Sequence, residues 1–209
     1  MSELVVRAIS GVVMIAIALM AAYVGGYSFA ILAAAAATAM YYEWMRMARG
    51  WGIHWVVGGF LYCLLPAIAL LALREPEHGL WLVLWVFIVT WSTDIGAYFA
   101  GRKFGKRKLA PSISPGKTVE GLWGGVVAAA LFGGAWVYAN GLNHGLLLLA
   151  PLFAVAAQMG DLFESSMKRR AGIKDSGDLL PGHGGVLDRL DGLVPVAVLT
   201  FVAQVIGLA

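Results

Sequence analysis

Residues 161–191 hold eleven of the chain's 27 charged side chains, six acidic and five basic. The run opens on Asp161, Glu164, Ser165, Lys168 and Arg169. On a helix, Asp161, Ser165 and Lys168 stand at i, i+4 and i+7. That spacing puts a carboxylate, a hydroxyl and an ammonium on one face, with Glu164 beside them. Taken alone, such a face is equally a solvated turn with ion pairs. The sequence then passes through Lys174-Asp175-Ser176-Gly177 to Pro181-Gly182-His183-Gly184-Gly185, and on to Asp188, Arg189 and Asp191. Glycines around a histidine remove side-chain bulk and let main-chain N–H groups approach an anion such as phosphate. The pattern is neither the loop ending in Gly-Lys-Ser/Thr nor the paired-glycine dinucleotide fingerprint.

These residue types share one chemistry. Carboxylates at Asp161, Asp188 and Asp191 suit a hard cation, and magnesium is usually held by one or two carboxylates plus substrate phosphates. Lys168, Arg169, Lys174 and Arg189 can offset phosphate charge. Metal, cationic clamps and positioning are what phosphoryl transfer needs, with little covalent chemistry from the protein.

The elements that must position this strip are membrane helices. Of 209 residues, 60% are hydrophobic and 13% are charged, against about 25% charged in an ordinary soluble domain. The apolar residues fall in runs that approach the roughly 20 residues needed to cross a bilayer. Seven spans are expected, near 8–24, 27–45, 53–73, 80–100, 119–139, 145–158 and 193–208. The sixth runs into polar sequence and should continue as a helix beyond the membrane. The fold class is therefore an all-α polytopic membrane protein, read as one domain over 1–209. Its N-terminal spans occupy 1–79 and its catalytic part 80–209. The first apolar stretch is followed by another, so it reads as a retained span and not a signal peptide.

Charge sets the orientation. With the N-terminus in the cytoplasm and seven spans, fourteen of the fifteen Lys and Arg residues fall on the cytoplasmic side, and Arg74 alone lies opposite. The basic residues flank apolar runs, so the net charge of +3 reads as a topology signal and not as a nucleic-acid surface. Both long polar segments, 101–118 and 159–191, then face the cytoplasm. Cys63, the one cysteine, reads as packing. His54, His78 and His144 should be interfacial, and Trp44, Trp51, Trp55, Trp81 and Trp123 fit an aromatic belt.

The strip resembles the signature of the phosphatidate cytidylyltransferases (CDP-diacylglycerol synthases). The matching positions are Ser165, Met167, Lys168, Arg169, Lys174, Asp175, Gly177, Leu180, Pro181, His183, Gly184, Gly185, Val186, Asp188, Arg189, Leu190 and Asp191. A second block resembles the same family: Asp94-Ile95-Gly96-Ala97-Tyr98, Gly101 and Gly105, then Ser114-Pro115-Gly116-Lys117-Thr118 with Glu120-Gly121. An intramembrane carboxylate such as Asp94 is a functional hypothesis by default. Members of this family are mostly longer, with further spans between the second span and the Asp94 block. The resemblance is tight over 94–191 and looser before.

The resemblance implies an enzyme that makes CDP-diacylglycerol and pyrophosphate from CTP and phosphatidate. It implies catalytic roles for Asp161, Ser165, Lys168, Arg169 and Asp188. Magnesium would lie on Asp161, Asp188 and Asp191. Substrate binding would fall to Asp94, Tyr98, Lys117, Thr118, Glu120, Lys174, Asp175, His183, Gly184, Gly185 and Arg189. The resemblance admits a second, monovalent cation and a homodimer, and it places the protein in a bacterial-type inner membrane with its site facing the cytoplasm. Two alternatives stay open. One is the same chemistry on an ether-linked phosphatidate or a polyprenol phosphate. The other is an anion transporter, which would leave the glycine–histidine strip unexplained.

Overall fold

The computed structural model describes residues 3–209 and is dominated by helices. In chain order they are α1 (Glu3–Val24), α2 (Gly26–Met47), α3 (Ile53–Arg74), α4 (Gly79–Phe104), α5 (Val119–Asn140), α6 (Gly145–Arg170), α7 (Leu187–Leu190) and α8 (Leu193–Val205). All seven expected spans are helices. Five of them, α1 and α3–α6, are long and apolar enough to cross a membrane. The alanine-rich α2 carries Glu43 and Arg46 in its last turns. The 13 residues of α8 rise only about 20 Å at 1.5 Å each. As expected, α6 runs past Gln158 into the charged strip and stops at Arg170.

A small element departs from the all-α expectation. Between α4 and α5 the chain forms an antiparallel hairpin of β1 (Lys108–Ala110) and β2 (Ser114–Thr118). Strands this short, one of them containing Pro115 and Gly116, carry no period-2 hydrophobic pattern. The hairpin delivers Lys117 and then Thr118, whose hydroxyl caps α5 by accepting from the Gly121 N–H (3.0 Å).

Helices α4 and α5 pack backbone to backbone. A Cβ on Gly124 would lie 2.8 Å from the Gly96 carbonyl oxygen, and one on Gly125 2.8 Å from that of Thr93. Small residues at such a seam allow the close approach that drives helix association in lipid. One buried cluster surrounds α4, with Val83, Trp85, Val86 and Val89 against Leu73, Leu146 and Val196. A second joins Met40, Trp44, Cys63, Met167, Leu187 and Val194, and it seats the short helix α7. Trp44 is therefore core and not belt. It is 2% exposed, and its indole donates to the Trp55 carbonyl (2.8 Å). The outer faces of α1 and α5 carry exposed Val12, Val13, Met20, Val127, Leu131 and Phe132, which is the surface a bilayer would cover. Arg74 donates to the carbonyls of Ala22 (2.7 Å) and Tyr23 (3.1 Å), so it caps the end of α1.

Candidate active site

A cavity of about 1160 Å³ lies among α1–α6 and the segment from 180 to 193. Its two ends differ in character. Asp94, Lys117, Asp161, Asp188, Arg189 and Asp191 line the polar end. Ile15, Phe29, Leu70, Phe87 and Trp91 line the apolar end. Tyr98, Thr118 and His183 also reach the cavity, as does Arg102, whose guanidinium donates to the Tyr98 hydroxyl (2.8 Å).

Helix α6 brings in Asp161. The Ser165 hydroxyl donates to Asp161 Oδ1 (3.2 Å), as the i, i+4 spacing predicts. Lys117 pairs with Asp161 Oδ2 (2.5 Å) and donates to Gln158 Oε1 (2.9 Å), so the β-hairpin is fastened to α6 across the polar end. Gly160 lets the chain at Asp191 and Pro195 press directly on α6, where a side chain would collide. Asp191 consequently lies half-buried near Asp161. Desolvation first, and the Asp161 charge second, push its carboxyl above the usual carboxylate range.

Asp188 sits on α7 with both oxygens engaged. Lys168 donates to Oδ1 (2.6 Å), and the N–H groups of Ser176 and Gly185 donate to Oδ2 (2.9 Å each). Burial disfavours its charge, but Lys168 and the Gly185 N–H outweigh that and hold the carboxyl below the usual carboxylate range. Lys168 also lies 2.6 Å from Glu164 Oε2. The Glu164 side chain is 1% exposed, so this ammonium is its counter-charge in a buried setting. Lys168 thus joins the end of α6 to α7 and stands behind the cavity wall.

Other expected site residues brace the loops. Arg169 donates to the carbonyls of Ile113 (3.2 Å) and Ile173 (3.0 Å). Glu120 accepts from the N–H groups of Lys106 (3.0 Å) and Arg107 (3.1 Å) and from Arg107 Nε (3.2 Å). Arg189 donates twice to the His183 carbonyl (2.9 and 2.8 Å), closing the glycine–histidine turn. Gly182 (φ 75°) and Gly184 (φ 82°) supply the left-handed backbone of that turn, and the Leu180 N–H donates to the Gly184 carbonyl (2.9 Å). Lys174 and Asp175 lie exposed on the approach to it.

Three contacts involve residues to which the sequence reading gave no role. Ser10 of α1 places its hydroxyl 2.8 Å from His183 Nδ1. Gln158 receives Lys117. Glu43 of α2, 0% exposed, accepts from the loop at Ser176, Val186 and Leu187. Only Glu43 carried a signal, as a lone carboxylate in an apolar alanine-rich run.

A cavity with carboxylates and fixed cations at one end and aliphatic walls at the other fits an amphiphile bearing phosphate. Residues 48–206 match the model of the cytidylyltransferase family. The chain belongs to that family. A phosphatidate cytidylyltransferase of Brucella suis is 38% identical over 252 aligned positions, covering 96% of this chain and 93% of the relative. Enzymes of the same name from Haemophilus influenzae and Bacillus subtilis are 47% identical over 129 residues and 49% over 121, each covering just over half of this chain and under half of the relative. The Brucella alignment is longer than this chain, so that cytidylyltransferase carries residues this one lacks. The family resemblance expected from the two motif blocks holds, as does the greater length of its relatives.

Proposed function

We propose that the chain transfers the cytidylyl group of CTP to phosphatidate, giving CDP-diacylglycerol and pyrophosphate. The two-ended cavity is the observation that carries this reading, because it offers phosphate chemistry and aliphatic contact in one continuous space. A phosphate oxygen of phosphatidate bonds to the α-phosphorus of CTP, and the bond from that phosphorus to the β-phosphate oxygen breaks. The lipid phosphate is already ionised, so no strong general base is required and His183 need not act as one. Lys117, Arg102 and Arg189 are placed to bind phosphate oxygens. Ser10, bonded to His183, orients the imidazole at the rim.

The donor set fits magnesium. Asp161, Asp188 and Asp191 are hard oxygen donors on one cavity, and each carboxylate oxygen can accept more than one partner. Among the described residues no three Asp, Glu, His or Cys side chains converge as a complete metal site. The protein would therefore supply part of the ligand set and substrate phosphates the rest, as is usual for this ion. Bound there, magnesium would neutralise charge that develops on the triphosphate. Lys117 and Lys168 balance the charge of Asp161 and Asp188.

We further propose seven crossings with the N-terminus and the polar end of the cavity at the cytoplasmic face. Supporting this are the one-sided distribution of Lys and Arg and the capping role of Arg74, which explains the single exception. The deciding experiment uses purified protein in detergent with CTP, phosphatidate and magnesium. Pyrophosphate release that requires all three is expected. Folded protein that releases none overturns the reading.

A further inference from the structure

Glu43 is a fully buried carboxylate that the chemistry above leaves unused. It lies upstream of the residues matched to the family model, which begins at 48. Its Oε1 accepts from the Val186 N–H (2.9 Å), and its Oε2 from the Leu187 N–H (2.8 Å) and the Ser176 hydroxyl (3.0 Å). Val186 is the N-cap and Leu187 the first residue of α7, the four-residue helix that carries Asp188 and Arg189. A single helical turn is costly to nucleate and leaves its first N–H groups without intrahelical partners. A carboxylate from another helix satisfies two of them.

The loop is gripped from both sides. Ser176 gives its hydroxyl to Glu43 and its N–H to Asp188. Gly185 gives its N–H to Asp188, and the next two N–H groups go to Glu43. The glycines make room for this arrangement. A Cβ on Gly177 would lie 2.6 Å from Glu43 Oε1, and one on Gly185 2.6 Å from Glu43 Oε2. The small residues at 177 and 185 are thus places where the Glu43 carboxylate enters the loop.

We propose that Glu43 is a positioning residue that caps α7 from α2 and thereby sets where Asp188 and Arg189 stand in the cavity. This rests on the cytidylyltransferase reading. The test uses full-length E43A and E43Q, with kcat and KM for CTP measured on the folded fraction and amide hydrogen exchange followed along the chain. In E43A, kcat falls about 10- to 100-fold, the scale seen when a group supporting a metal site is lost. KM for CTP moves far less. Exchange rises across 175–190 while α4 and α5 stay protected. E43Q is intermediate, because its amide oxygen can still accept from Leu187 and Ser176 while its NH2 opposes the Val186 N–H. Wild-type kcat in both variants overturns the proposal, as does exchange that rises equally throughout. If E43A does not fold, the same two readouts in E43Q decide. Wild-type protein that releases no pyrophosphate sinks the functional reading instead, and the exchange pattern still decides the positioning role.

Discussion

Two carboxylates hold the charged strip from opposite sides, and their partners differ in kind. Glu43, behind the loop, is 0% exposed and accepts only from two main-chain N–H groups and a hydroxyl. Asp161, at the cavity, has a side chain 31% exposed and is held by the ammonium of Lys117 and the hydroxyl of Ser165. Main-chain donors cannot leave without unfolding the turn. An ammonium on a flexible four-carbon stem can swing away and exchange its partner. The rear carboxylate is therefore architecture, and the front one is available for exchange with ligand.

The largest break in this comparison comes from the front. Asp161→Asn keeps the shape and removes the charge. Activity in the pyrophosphate assay should fall by roughly 10²–10³-fold, the scale of losing one preorganised electrostatic partner at the reacting phosphates. Thermal stability should fall modestly, because Lys117, 16% exposed, loses its counter-charge but keeps its bond to Gln158. If Asp161→Asn loses stability as heavily as activity, front and rear are not different in kind.

The same contrast governs what the sequence reveals. Apolar runs of membrane length announce α1 and α3 to α6 because bilayer thickness imposes them. The Ser165–Asp161 contact follows from helical spacing alone. The grouping of Asp94, Lys117, Asp161, Asp188 and Asp191 on one cavity was legible through the two motif blocks. Partners far apart in the chain were not. Glu43 meets Val186 across 143 positions, and nothing local in an alanine-rich helix names the loop it will cap. Lys168 reads as a phosphate clamp from its type and place, but the fold sets it between Glu164 and Asp188. Trp44 reads as a belt residue from its position near a span end, yet it lies on the buried face of α2 against Tyr62 and Phe163. The β-hairpin escaped for a different reason, since strands of three and five residues have too few positions to show alternation.

A smaller effect is expected at the partner that can exchange. Lys117→Met keeps the aliphatic stem and removes the ammonium. One charge-assisted hydrogen bond is worth about 1.5–3 kcal/mol, so kcat/KM should fall by roughly one to two orders of magnitude. The loss should lie mainly in KM for whichever substrate Lys117 meets, which saturation curves for CTP and phosphatidate measured separately will identify. Equal losses in kcat and kcat/KM would instead assign the lysine to an interaction made only in the transition state.

The smallest effect tests the rear. Ser176→Ala removes one of the three donors to Glu43 and leaves the Val186 and Leu187 N–H groups in place. The hydroxyl lies on a buried residue, 4% exposed, so its loss should cost about 0.5–1.5 kcal/mol of stability, read as a lower thermal midpoint in detergent. Activity should stay within a few-fold of wild type, because Asp188 keeps its bonds from Lys168 and Gly185, and the Ser176 N–H is untouched. That outcome would separate the main-chain donors, which fix α7, from the side-chain donor, which only adds to its stability. A severe loss of activity with an unchanged thermal midpoint would mean that the hydroxyl takes part in the chemistry. The rear of the strip would then be working charge as well, and the division between the two carboxylates would fail.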